Sequence, residues 1–405
     1  MPLPPFGTKD YKKEIDPRLI SFFVDSQGAK RTPERTDGHM PQAPQENRVE
    51  RNSKAVYAVL YSFIGLALLF VCFFAVKITR DEINQGYERT IIMREPRVSS
   101  DLSQNPGGDL LKIADGLANK PYRMRTDENG FIKPSAVHEN PELSIVFLGG
   151  STTECHFMDE DARFPYLVGR SLEASLGKRV NSYNTGRAGN NSLHCDLLLQ
   201  AKVLPMRPRV AVLMECINDL TFLAVLGDYW SASATRGIVQ NKESNFAKRW
   251  IIESVIGHKA VPTVQNDEFV GSRVPTANLS PQAVSSKFRK NLELFVFLCK
   301  QHDITPVLMT QFNRFTPELV PNLRQQMQPV YDSWNISYEQ YLANYNALND
   351  TMRQVAKEQS LLLIDLDRMV PKTKDYMYDV VHLNDNGSRL VADLIAKALE
   401  PTLRK

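Results

Sequence analysis

Ser144-Ile145-Val146-Phe147-Leu148 runs directly into Gly149-Gly150-Ser151-Thr152-Thr153-Glu154. A short apolar run without polar alternation reads as a strand buried on both faces. The glycine pair after it marks a turn, and the turn carries a serine. The same texture recurs at Val180–Tyr183, Val210–Met214, Ile304–Met309 and Leu361–Asp365. Helix-period patterns lie between these runs, near 164–177, 191–204, 283–301 and 338–358, with a last one near 386–400. Repeated strand–helix alternation predicts an α/β domain of five parallel strands joined by crossover helices. Such sheets take ligands beyond the carboxyl ends of their strands, so the segments that follow each run are where chemistry is expected. The stretch 221–282 exceeds what a crossover needs and reads as an insertion near that edge.

Four blocks stand at those positions. They are Gly149 to Glu154, Asn184-Thr185-Gly186-Arg187-Ala188-Gly189-Asn190, Glu215-Cys216-Ile217-Asn218-Asp219, and Asp379-Val380-Val381-His382-Leu383-Asn384. Their residue types suit acyl transfer. Ser151 needs a base as it attacks a carbonyl, and His382 is the imidazole that this topology brings nearest. Asp379, three residues earlier, can accept from the other ring nitrogen and hold the tautomer. Candidate oxyanion donors are the backbone N–H groups of Ser151 and Gly189 and the side-chain amide of Asn218.

In this order the blocks resemble the SGNH (GDSL-type) hydrolase family, whose letters correspond to Ser151, Gly189, Asn218 and His382. The resemblance covers roughly residues 141–400. It implies a flavodoxin-like three-layer α/β/α fold and ester hydrolysis or acyl transfer, with no metal and no organic cofactor. Two positions depart from the family pattern. Gly150 replaces the aspartate of Gly-Asp-Ser, which is not the nucleophile. Cys216 replaces a glycine and is expected to crowd the oxyanion region.

Other motifs are weaker. Gly-Gly-Ser-Thr lacks the Gly-Lys-Ser/Thr ending of a phosphate loop, and Gly186 and Gly189 lack the third glycine of a dinucleotide fingerprint. No Gly-x-Ser-x-Gly elbow exists, because Thr153 stands at its second glycine. Cys155 beside His156 reads as packing rather than a thiol nucleophile. His194 reads as a solvated residue at a helix start, and Asp219 as a loop holder. Of the seven histidines, only His382 has an aspartate three residues before it.

The whole chain has 405 residues, 49 Lys+Arg against 46 Asp+Glu, 42% apolar and 9% aromatic residues. This composition excludes global disorder, collagen and a disulfide-dense mini-protein. A net charge of +3 gives no bulk field toward nucleic acid. Of five cysteines, Cys155, Cys195, Cys216 and Cys299 show no metal-type spacing and read as buried thiols; any disulfide among them is unassignable.

Ala55 to Val76 is a run of 22 residues without a charge, flanked by Lys54, Lys77 and Arg80. At about 1.5 Å per residue it reaches across a bilayer core, and it starts too late and runs too long for a cleaved signal peptide. The expected organisation is a disordered tail over 1–54, a transmembrane helix over 55–76, a juxtamembrane segment over 77–140 with a helical start (Arg80 to Arg94), and the hydrolase-like domain over 141–405. Basic residues flank both ends of the span and do not set its orientation. A short polar tail before a large domain favours a cytoplasmic tail and an extracytoplasmic (periplasmic) domain.

The leading expectation is a membrane-anchored serine esterase or acyltransferase acting on an ester of the cell envelope: an O-acetylated glycan, a glycolipid or a lipid. The alternative from another class is a non-catalytic module of the same fold, scaffolding an envelope assembly through its N-terminal tail. A lipase would show an apolar lip from Phe222, Leu223, Val225, Leu226, Tyr229 and Trp230.

Overall fold

The computed structural model describes residues 48–83, 87–91, 93–230, 238–243 and 280–404. The tail 1–47 and most of the 221–282 insertion lie outside the described residues. The chain divides into two units, 1–72 and 73–405.

In chain order, α1 is Arg48–Ile83. Its stretch Lys54–Lys77 is long and apolar enough to cross a membrane, and none of it is buried. Phe63 and Phe70 are 70% and 64% exposed, so this helix does not serve as a core helix. Strand β1, Tyr87–Ile91, occupies part of the stretch expected to be helical; it pairs antiparallel with a distant partner, Val239–Glu243. Tertiary pairing of this kind leaves no local signal in a sequence. Next come β2 (Asp101–Gln104), α2 (Gly108–Ile113) and β3 (Tyr122–Arg125), with β2 and β3 antiparallel.

The central sheet starts at β4 (Leu143–Gly149), followed by α3 (Ser151–Glu154), α4 (Phe164–Leu176), β5 (Val180–Asn184), α5 (Ser192–Leu198), β6 (Val210–Met214) and α6 (Ile217–Leu226). After β7 (Val239–Glu243) come α7 (Pro281–Gln301), β8 (Thr305–Met309), α8 (Pro321–Trp334), α9 (Tyr338–Glu358), β9 (Leu362–Ile364), α10 (Leu366–Met369) and α11 (Asp385–Leu403). The five strands are parallel, in the order β5-β4-β6-β8-β9. Numbered along the sheet's own chain order this is 2-1-3-4-5, the flavodoxin-like arrangement.

Alternation along each strand builds two cores. Ile145 and Phe147 of β4, with Val210 and Val212 of β6, pack under Phe164, Val168, Val391 and Ile395 of α4 and α11. Val146, Leu148, Ala211 and Leu213 face the other way, under Leu198, Phe288, Leu292 and Tyr345 of α5, α7 and α9. Strands buried on both faces must be apolar throughout, which is why the runs show no polar alternation.

Outside the sheet, residues 93–137 fasten onto it. Ile132 N–H donates to Asn184 O at 3.0 Å and adds one antiparallel bridge to the free edge of β5. Arg163, 1% exposed, donates to the carbonyls of Arg123 (2.7 Å) and Lys133 (2.9 Å) on this segment, and to those of Cys155 and Met158 beside α3. A buried cation is tolerable here because four carbonyl dipoles replace its water.

Candidate active site

The chain reverses direction across the sheet between β4, which lies centrally, and its neighbours β5 and β6. Open α/β sheets take ligands at this kind of switch point. Ser151 follows β4, Gly189 follows β5 and Asn218 follows β6, so all three lie at the carboxyl edge of three adjacent strands.

Two glycines let the crevice close tightly. A Cβ on Gly149 would sit 2.8 Å from Met214 O and collide with Thr153. A Cβ on Gly150 would collide with Asn218 Nδ2. The Asn218 amide therefore occupies the space that a side chain at 150 would take, directly beside Ser151. Across the crevice, Arg187-Ala188-Gly189-Asn190 forms a turn closed by Asn190 N–H to Arg187 O at 3.0 Å. Gly189 has φ +77° at the third position, as a type II turn demands. Arg187 N–H donates to Gly149 O at 3.1 Å and docks this turn against the Ser151 strand end.

His382 lies within reach of both partners expected for it. Its Nε2 is 2.9 Å from Ser151 Oγ, and its Nδ1 is 2.7 Å from Asp379 Oδ2. A carboxylate can only accept, so Nδ1 carries the proton and Nε2 is left to accept from the serine. The other Asp379 oxygen, Oδ1, accepts the backbone N–H groups of Val381 (2.9 Å) and His382 (2.7 Å). Asp379 is wholly buried, whereas Ser151 and His382 keep 7% and 8% exposure, a narrow opening to solvent. The Tyr378 ring stacks on the imidazole at 5.6 Å and 8°. A hydroxyl, an imidazole acceptor and an orienting carboxylate in line are the parts that nucleophile activation requires.

Several supporting residues were not legible in the sequence. Gln311, after β8, donates to Thr152 Oγ1 at 3.0 Å and accepts from Ile217 N–H at 2.9 Å, joining the Ser151 and Asn218 turns. Arg314 N–H donates to Val380 O at 2.7 Å, and its guanidinium reaches Met377 O and Asp115. The only signal for either was position: both follow the fourth apolar run, on the same sheet edge.

Other expectations are revised. Cys216 does not crowd the oxyanion region; it is wholly buried in the core and its Sγ lies 3.6 Å from Tyr345 O. His194 is buried, not solvated, because α5 begins beneath α6. It forms a capping box with Asn191 and an edge-on contact with Phe222. Phe222, Leu223 and Tyr229 are core residues rather than parts of an apolar lip, and Trp230 is exposed; the side chains of Val225 and Leu226 lie outside the described residues. Asp219, read as holding its loop, lies instead in the first turn of α6, where it accepts from Ser192 at the start of α5 and from Tyr229 Oη (2.6 Å) and ties the two helices together. Burial pushes the Cys155 thiol up to about 12, which disfavours the nucleophilic thiolate. All five cysteines are free.

The depression at Ser151 holds about 10 Å³ and is walled by Phe157, Met158, Tyr378 and Leu383. No cluster of metal-ligating side chains occurs among the described residues.

A family model described as the GDSL-like Lipase/Acylhydrolase family matches residues 147–390. No curated protein matches the chain. Similar solved structures include an α/β hydrolase enzyme from the metagenome of Lake Arreo, Spain (16% identity, 64% of this chain and 95% of that one, TM-score 0.38). They also include an acetylxylan esterase from Geobacillus stearothermophilus (15% identity, 64% and 95%, TM-score 0.37). A third is a lipase/acylhydrolase from Enterococcus faecalis (17% identity, 64% and 96%, TM-score 0.39).

Proposed function

The chain belongs to the GDSL-like lipase/acylhydrolase family, and from that premise we propose that it is a membrane-anchored serine esterase for small acyl groups. The observation that carries this reading is the hydrogen-bonded line Ser151–His382–Asp379, at 2.9 and 2.7 Å.

In the proposed reaction, Ser151 Oγ attacks the ester carbonyl carbon as its proton passes to His382 Nε2. The carbonyl π electrons move to oxygen, and the Ser151 and Gly189 N–H groups and Asn218 Nδ2 stabilise that charge. Asp379 stabilises the imidazolium without taking its proton. Collapse breaks the bond to the alkoxide, which leaves with the proton from Nε2. Water then adds to the acyl-enzyme, giving its proton to Nε2, and the acid departs as Ser151 recovers its hydrogen. In a transferase, a sugar hydroxyl would take the place of water.

A depression of about 10 Å³ accommodates one water-sized group. A small depression walled by Phe157, Met158, Tyr378 and Leu383 favours short acyl groups such as acetyl over long chains. The span Lys54–Lys77 supports anchoring in a membrane. The extracytoplasmic placement of the domain and an O-acetylated envelope glycan as substrate class are part of the proposal and rest on the short tail before a large domain.

A fluorophosphonate probe followed by peptide mass spectrometry tests the reading. It predicts an adduct on Ser151 that is lost in Ser151→Ala and strongly slowed in His382→Ala, with p-nitrophenyl acetate turned over faster than the octanoate. A folded wild-type protein that is neither labelled nor active would leave only a binding role for the fold.

A further inference from the structure

The reaction above gives work to the Gly189 N–H, and the fixed direction of that bond needs a cause. We propose that Arg94, which lies in the segment after the apolar helix and outside all four sequence blocks, is a positioning residue for the oxyanion hole. It holds the Ala188–Gly189 peptide by its carbonyl. The proposal rests on the serine esterase reading.

Arg94 Nη2 donates to Ala188 O at 3.0 Å. That carbonyl and the Gly189 N–H belong to one planar peptide and point in opposite directions, so fixing one fixes the other. The peptide concerned is the central one of the turn Arg187–Asn190. Type I and type II turns differ by the flip of this central peptide, which would exchange the carbonyl and the N–H. With φ +77° at Gly189 the turn stands in its type II form. A hydrogen bond from a guanidinium is about twice as strong as a neutral one and resists the flip. It also draws electron density toward the carbonyl oxygen and so makes the N–H a better donor.

Two further contacts clamp the same turn. Glu154 Oε2, at the end of α3, accepts from Ala188 N–H at 3.0 Å, and Asn190 Nδ2 donates to Arg94 O at 3.0 Å. Arg94 and the turn thus grip each other through side chain and backbone, across 94 residues of sequence. Among the described residues no backbone or side-chain acceptor takes the Gly189 N–H, which leaves it for a substrate oxygen.

The test compares wild type, Arg94→Met and Arg94→Lys as full chains in detergent, measuring kcat and KM for p-nitrophenyl acetate, the rate of fluorophosphonate labelling and the melting temperature. Arg94→Met is expected to lower kcat about 10- to 100-fold, less than deletion of an oxyanion donor, with KM within about twofold. Labelling should slow in parallel, because that reaction also builds charge on oxygen, and Arg94→Lys should recover part of the loss. A kcat for Arg94→Met within about twofold of an active wild type would overturn the role of Arg94 and leave the esterase reading standing. A wild type that is neither active nor labelled would overturn both. If Arg94→Met does not fold, Arg94→Gln decides: lost kcat at constant KM supports the role, and unchanged kcat overturns it.

Discussion

His382 stands between an oxygen that must lose a proton and one that must keep its charge. Replacing Asp379 with asparagine preserves size but offers Nδ1 the wrong partner, so the ring can settle in the other tautomer. The expected loss in kcat is about a thousandfold or more, with KM little changed, read by p-nitrophenyl acetate kinetics. Gly150→Ala would push the Asn218 amide from beside Ser151, lowering kcat about tenfold or more while leaving binding of substrate intact. Asp219 answers to acid. Burial raises its carboxyl to about 6 from 3.8, outweighing the hydrogen bonds from Ser192 and Tyr229. The folded protein therefore holds this proton more tightly than the unfolded chain. Its stabilising contribution is complete below 3.8 and lost as pH rises through about 6. Melting curves at pH 7 and pH 5 should show wild type gaining on Asp219→Asn at the lower pH.

Elements hold these residues through contacts that cross the chain. Arg314, 6% exposed, bonds Asp115 at 2.7 Å and the carbonyl of Met377, while Asp115 N–H donates to Tyr378 O at 2.6 Å. The loop bearing Asp379 and His382 is thereby gripped from two sides. Arg314→Leu leaves Asp115, 27% exposed, with only the Asn322 amide (3.1 Å) as a side-chain partner and should lower stability by about 1–2 kcal/mol in chemical denaturation, with a fall in kcat. Such contacts also mark the limit of what the sequence shows. β6 and α9 follow the reading residue for residue, because an unbroken apolar run and the Ser337–Gln340 capping box are local signals. Helix α8 carries a regular stripe, Leu323, Met327, Val330 and Trp334, but Pro329 within it breaks the pattern. Strands β1 and β2 are polar and pair with distant segments, so nothing nearby announces them. Three of the four blocks were visible because each stands at the end of a legible strand; the fourth, Asp379 to Asn384, begins fifteen residues past β9 and showed itself through its Asp-x-x-His spacing. Gln311 and Arg314 act through partners that only the folded sheet brings near.

At the scale of the molecule, the five-stranded sheet does not stand alone. Phe157 and Tyr378, which wall the Ser151 depression, pack with Tyr122, Leu110 and Leu117 of the segment before the sheet. A piece beginning at residue 93 should therefore stay soluble and active, and one beginning at 141 should aggregate, as size-exclusion chromatography would show. The buried thiols set a further expectation. Ellman's reagent should find none of Cys155, Cys195, Cys216 and Cys299 in the native domain and all of them after unfolding. Burial pushes the Cys155 and Cys299 thiols up to about 12, far above neutral pH, so thiolate is strongly disfavoured in both. Disulfide exchange proceeds only through that form. Once folded, the domain thus keeps its four thiols out of reach of oxidants and of one another's exchange chemistry, so an oxidising compartment is compatible with reduced cysteines.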